Sequence, residues 1–199
     1  MPALAASPEQ ETTFRIYRPT TIRERLREAT AEAHAALDAC LQALDLTTRA
    51  GYGRFLAANA AALVAVEMAL EAAGVHDVLP DWDRRARSRA INADLDLLGI
   101  RTRSVPADMT FNRARMLGAL YVLEGSRLGA KFLVRQVTRS TDPLVRAATA
   151  YLRHGENERF WPSFLDLLAR ELPSPAEEED MIAGAQWAFA RFAEAAARA

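Results

Sequence analysis

From Thr21 onward almost every window of the chain repeats its apolar residues at three- and four-residue steps, and no strand-length run alternates apolar with polar. A period near 3.6 lines side chains up on one face of a helix, whereas a half-buried strand needs a period of two. Asn-Gly hairpin signals are absent as well. An all-α fold is therefore expected. With 199 residues the chain has one domain's length, and folding can bury roughly 70% of its unfolded surface.

Thr21 and Glu24 form a T-x-x-E capping box that opens the first helix, along which Ile22, Leu26, Ala29, Ala33, Leu37, Cys40 and Leu44 recur. A second helix is expected from Tyr52 to Ala73, closed by Gly74, and a third from Asp81 to Leu98, closed by Gly99. After a loop from Ile100 to Pro106, a long fourth helix runs from Ala107 to Arg139. Further helices are expected at Asp142 to Arg153, Trp161 to Leu172 and Ala176 to Ala197. Residues 1–19, with Pro2, Pro8 and Pro19 and no periodicity, read as a mobile lead-in, and residues 20–199 as a single helical domain.

Charge and composition narrow the function. Twenty-five basic residues face 26 acidic ones, for a formal net charge of -1, so no basic excess is available to hold nucleic acid. Cys40 is the one cysteine, which excludes an internal disulfide and a cysteine-based zinc site. No signal peptide and no membrane-spanning run is apparent, so a cytoplasmic protein with no membrane partner is expected. None of His34, His76 and His154 has a glutamate three residues before it, which removes the Glu-x-x-His pairs of a ferritin-like di-iron site. Zinc-protease, phosphate-loop and serine-elbow motifs are missing too.

Two features do not read as plain core. On a wheel of ~100° per residue His34 lies roughly 75° from the centre of its helix's apolar stripe, with Asp38 one turn on. It is either polar trim or a ligand. The run LGALYVLEGSRLGAKFLVRQV carries Gly118, Gly125 and Gly129 inside one helix, although an interior glycine costs about 1 kcal/mol relative to alanine. The three fall within roughly 40° of one another, with Tyr121 at the edge and Ser126 in the last turn between them. A face without side chains admits either a closely packed helix or a flat ligand. Haem suits the pair of features, with imidazole on one side of its iron and backbone on the other.

Here the chain resembles the haem oxygenases. LREATAEAHAALD, Leu26 to Asp38, is similar to that family's proximal helix, and LYVLEGSRLGAKFL, Leu120 to Leu133, to its distal helix. The E-G-S-x-L-G core resembles the bacterial biliverdin-producing type, since the animal pattern has aspartate where Ser126 stands. GYGRFL, ADLDLLG and FWPSFLDLL extend the resemblance along the chain, while Ala130 replaces a glycine that many members carry.

The resemblance implies a haem oxygenase fold, with haem between proximal and distal helices as both substrate and cofactor. It implies His34 as the iron ligand and Asp38 as the residue behind it. Gly125 and Gly129 become the distal glycines, Ser126 a holder of distal water, and Tyr121 a propionate contact. Arg27, Lys131 and Arg135 are the candidate propionate cations, and Arg127 and Lys131 are expected to face outward or toward propionates or a partner. The implied reaction takes dioxygen and external electrons and yields biliverdin, carbon monoxide and ferrous iron. The chain has no flavin or nicotinamide motif, so a ferredoxin or flavodoxin reductase system is the expected donor and a phytochrome one conceivable acceptor of biliverdin. The rivals are a haem carrier or sensor of the same fold without oxygenase activity, and a helical bundle with another ligand or only a protein partner.

Overall fold

The structure is a computed structural model that describes residues 21–103, 105 and 107–198. The lead-in expected at residues 1–19 lies outside the described residues. Eleven α-helices make up the described fold, with no strand among the described residues. They are α1 (Ile22–Ala29), α2 (Ala31–Gln42), α3 (Arg49–Ala72), α4 (Trp82–Arg85), α5 (Ser88–Leu98), α6 (Arg113–Gly125), α7 (Arg127–Val137), α8 (Pro143–Ala147), α9 (Ala150–Arg153), α10 (Phe160–Leu168) and α11 (Pro175–Arg198). A single apolar core runs through Leu26, Leu56, Leu63, Leu70, Ile91, Leu117, Leu120 and Phe164. Helix α11 is the spine, packing on α6, α3, α2 and α1, while α5 lies on α3 and α9 on α7.

Several helices expected to be continuous are broken, each time by a polar group that competes with the helical ladder. Thr30 divides the first helix: its buried hydroxyl donates to the Leu26 carbonyl at 2.7 Å, a back-bond that bends helices. At Ala86 the third helix divides, because the Glu67 carboxylate on α3 accepts from the backbone of Arg87 and Ser88 and so caps α5. The Tyr52 hydroxyl bonds the Ala148 carbonyl at 2.6 Å and Asp94 accepts from the Ala150 and Tyr151 amides, which separates α8 from α9. Helix α6 starts six residues later than the Ala107 expectation, where Asn112 caps the Arg115 amide. The residues before it are held to α11 instead, by Asp108 accepting from Trp187 and Arg191 and by Phe111 set edge-on to Trp187. Gly74 and Gly99 do close their helices in left-handed conformation, φ 83° and 70°.

Helix α3 is long and apolar enough to cross a membrane, contrary to the expectation that no such run exists, but 67% of its most apolar stretch is buried inside the fold. It is the core helix on which α5 and α11 rest.

Candidate active site

The three glycines do not act together. A Cβ on Gly118 would lie 1.9 Å from the Met181 carbonyl oxygen, and one on Gly184 of α11 would lie 2.1 Å from the Arg115 carbonyl oxygen. Gly118 is therefore the seam between α6 and α11. Around Gly129 nothing lies within 4 Å of such a Cβ, and at Gly125 only the Trp161 ring does, at 3.6 Å. The open face is thus confined to Gly125 and Gly129, which flank the exposed Ser126 at the break between α6 and α7. Beyond it Leu128 and Phe132 of α7 stand 64% exposed, an apolar surface with no partner among the described residues.

Helix α2 has the complementary character: none of its twelve residues is buried. Its His34 side chain is 62% exposed, with Nδ1 3.1 Å from Asp38 Oδ2 and the ring edge-on to Phe189 of α11 at 5.8 Å. A carboxylate at Nδ1 fixes the proton there and leaves the Nε2 lone pair directed away. Helices α2 and α6 both rest on α11. No hydrogen bond, ion pair or ring contact joins His34 to Gly125, Ser126 or Gly129. These residues fit haem: an exposed imidazole with its far nitrogen held, and a glycine-lined, apolar face on another helix of the same bundle.

Tyr121 is half-buried against Trp161, with 5.6 Å between ring centroids. Burial raises the Tyr121 hydroxyl above its ordinary pKa, and the nearby charges of Arg23 and Arg27 pull against that rise. Arg27 also lines a cleft of about 890 Å³ between α1 and α10, together with Arg23, Ile22, Leu165 and Leu168. His34 and the glycines do not line it. Lys131 and Arg135 are exposed on α7.

Arg127 corrects the expectation that it faces outward: it turns into the fold. Its Nη2 donates to the Arg85 carbonyl at 2.5 Å and to Glu124 Oε1 at 3.1 Å, and Nη1 approaches His154 Nδ1 at 3.3 Å. The Glu124 carboxylate, 1% exposed, is shared with Arg85 Nη1 at 3.0 Å. Arg85 completes its bonds on Asp81, the Phe160 carbonyl and Ser163. Arg87 reaches the break itself, on the Leu123 carbonyl and Ser126 Oγ. This polar layer was missed because charged residues on helices are usually solvated. Its signal is Glu124, a lone acid in the otherwise apolar run MLGALYVLEG.

Burial first, then the charges of Arg127 and Arg87, lowers the His154 pKa from 6.5. A depressed folded-state pKa gives stability that is present above the unfolded value and lost as pH falls through the folded one. Thermal unfolding should therefore show stability falling below about pH 6.5. His154→Gln should flatten that part of the profile, and an unchanged slope would contradict the assignment.

The residues around Gly129 make a second prediction. Gly129→Val meets no protein atom within 4 Å at its Cβ, so apoprotein stability should hold within about 1 kcal/mol. Haem affinity should nonetheless fall about tenfold or more, since a branched side chain fills the open face. Equal haem titrations for the two proteins would show that Gly129 does not face the ligand.

The family model for Heme oxygenase matches residues 101–198. Over 179 residues the chain is 30% identical to "Heme oxygenase PigA" of Pseudomonas aeruginosa, covering 85% of this chain and 88% of that one. It is 33% identical over 111 residues to a "Heme oxygenase" of Xanthomonas campestris pv. campestris, 56% of this chain and 67% of the relative. Among solved structures it is similar to the NO- and CO-bound heme oxygenase of Neisseria meningitidis, with TM-score 0.68, 22% identity, and 90% and 92% of the two chains covered. The Leptospira interrogans heme oxygenase aligns with TM-score 0.67 and 17% identity, over 90% of this chain and all of the other. The all-helical bundle of the described residues agrees with these structures, and the chain belongs to the haem oxygenase family.

Proposed function

We propose that the protein binds haem between α2 and the α6–α7 break and cleaves it oxidatively to biliverdin, carbon monoxide and ferrous iron. Beyond the family relationship, the observation that carries this reading is the open backbone at Gly125 and Gly129. Bound haem supplies the iron that takes dioxygen and the porphyrin edge that is oxidised. His34 would hold the iron through Nε2, with Asp38, 3.1 Å from Nδ1, orienting the ring from behind. Gly125 and Gly129 present backbone and no acid or base side chain. In peroxidase-type sites such a side chain favours O–O cleavage over attack on the ring.

Ser126 is the one side-chain hydroxyl at the break, positioned by its 2.8 Å bond to the Leu123 carbonyl, and serves to hold water there. Leu128 and Phe132 exclude bulk water from the distal side. Arg27 and Tyr121, with Lys131 and Arg135 from α7, meet the propionates. Electrons arrive from an external carrier of the ferredoxin or flavodoxin reductase kind. We place the protein in the cytoplasm, whose reducing conditions suit its exposed free thiol, Cys40.

The test is to supply the haem complex with ascorbate, or with a ferredoxin and its reductase, in air. Biliverdin absorption and one carbon monoxide per haem are expected. A haem complex that survives both reductants would instead make the protein a carrier or sensor.

A further inference from the structure

The described chain begins at Thr21, on the rim of the cleft of about 890 Å³ between α1 and α10. One wall of that cleft carries an apolar strip. Leu168 is buried, Leu165 is half-buried, and Leu172, just past the end of α10, stands 95% exposed. An isolated exposed leucine is ordinary, but a leucine that extends an apolar wall of a cleft marks a surface suited to a partner. Charge narrows what that partner is. Four carboxylates line the cleft, Glu24, Asp166, Glu171 and Glu178, against two guanidiniums, Arg23 and Arg27. Glu171 is paired with Arg113 and Glu178 with Arg25. Asp166 is exposed and has no hydrogen bond or ion pair among the described residues.

The sequence that leads into Thr21 has the complementary character. Residues 14–19 read Phe-Arg-Ile-Tyr-Arg-Pro, with three large apolar or aromatic side chains, two cations and no acid. The absence of helical periodicity suits an extended strap, and Pro19 biases Arg18 toward extended backbone. In such a backbone Phe14, Ile16 and Arg18 share one face, and six residues span about 20 Å. The covalent link at Thr21 holds the segment at high effective concentration beside the cleft, an advantage no external peptide has.

We propose that residues 14–19 form a strap that seats along the α1–α10 cleft, with Phe14 and Ile16 on the Leu168–Leu172 wall and Arg18 on Asp166, and so closes the edge of the haem site marked by Arg27 and Tyr121. The closing role rests on the haem reading above. The seat itself does not. The cleft and the site are neighbours because Arg23 and Arg27, which line the one, act by their charge on the Tyr121 hydroxyl of the other.

The experiment follows amide hydrogen exchange of residues 14–18 in the full-length apoprotein, comparing wild type with Leu172→Ser, with Asp166→Arg, and with Asp166→Arg combined with Arg18→Asp. Leu172 and Asp166 are exposed in the described fold, so both variants should fold as wild type does. Exchange should be about tenfold or more slower in wild type than in either single variant, and the reversed pair should regain most of that protection. Wild-type exchange at the rate of an unstructured chain would overturn the seat, as would protection that both single variants leave intact. The closing role is read from haem release to excess apomyoglobin, which should quicken about threefold or more in Leu172→Ser as the strap leaves the cleft. Equal release rates would overturn that role. Failure of the haem reading looks different: the wild type then forms no His34-dependent haem complex and the closing role falls with it, while exchange in the apoprotein still decides the seat.

Discussion

Gly118→Ala is expected to destabilise the fold by about 3 kcal/mol, near the upper end for overpacking one methyl group. The size follows from what the new Cβ meets. At 1.9 Å from the Met181 carbonyl oxygen and 2.8 Å from the Ala185 amide nitrogen it strikes backbone on α11, which cannot rotate aside as a side chain can. Relief requires α6 and α11 to move apart, and α11 is also the support for α1, α2 and α3. For a domain of this length that amounts to a fall in Tm of roughly 10 °C. Gly129→Ala is the internal control, because its Cβ meets nothing and alanine is the better helix former by about 1 kcal/mol. A calorimetric scan of the two apoproteins should move in opposite directions. If both lose stability alike, the division of the glycines into a packing seam and an open face is wrong.

The second large effect is expected on ligand chemistry and not on the fold. His34→Ala removes a side chain that is 62% exposed and whose polar and ring contacts among the described residues are Asp38 and the edge of Phe189, so the apoprotein should unfold within about 0.5 kcal/mol of wild type. With His34 as the proposed iron ligand, haem turnover should fall at least about 100-fold. Exogenous imidazole, filling the space left by the side chain, should restore part of it. Asp38→Ala should give a milder, 10- to 100-fold weakening of the kind seen when the group behind a metal-bound histidine is removed. Wild-type turnover in His34→Ala would move the iron ligand elsewhere.

The two layers of the site differed in how visible they were in the sequence. The His34–Asp38 pairing was legible because i and i+4 meet on one helix, whereas the roles proposed for His34 and the E-G-S-x-L-G run came from the family resemblance and not from spacing. The helical class was legible from period alone. Helix continuity was not. The breaks at Thr30, Ala86 and Ser126 come from hydroxyls and from Glu67, the last acting across 20 residues of sequence. The polar layer under the Gly125–Gly129 face was hidden for a similar reason. Arg85 meets Glu124 across 39 residues and Phe160 across 75, so nothing near Arg85 announces that it is buried. Gly118 was grouped with Gly125 and Gly129 because all three share one helix face. Only the position of α11 separates them.

The most direct measurement of the central claim is a spectroscopic titration of the purified apoprotein and its His34→Ala variant with haem. The wild type is expected to saturate at one haem per chain with a histidine-ligated spectrum, and the variant to lose that spectrum while remaining folded. A wild type that takes up no haem stoichiometrically, or a variant whose haem spectrum is the same as wild type, would contradict the account.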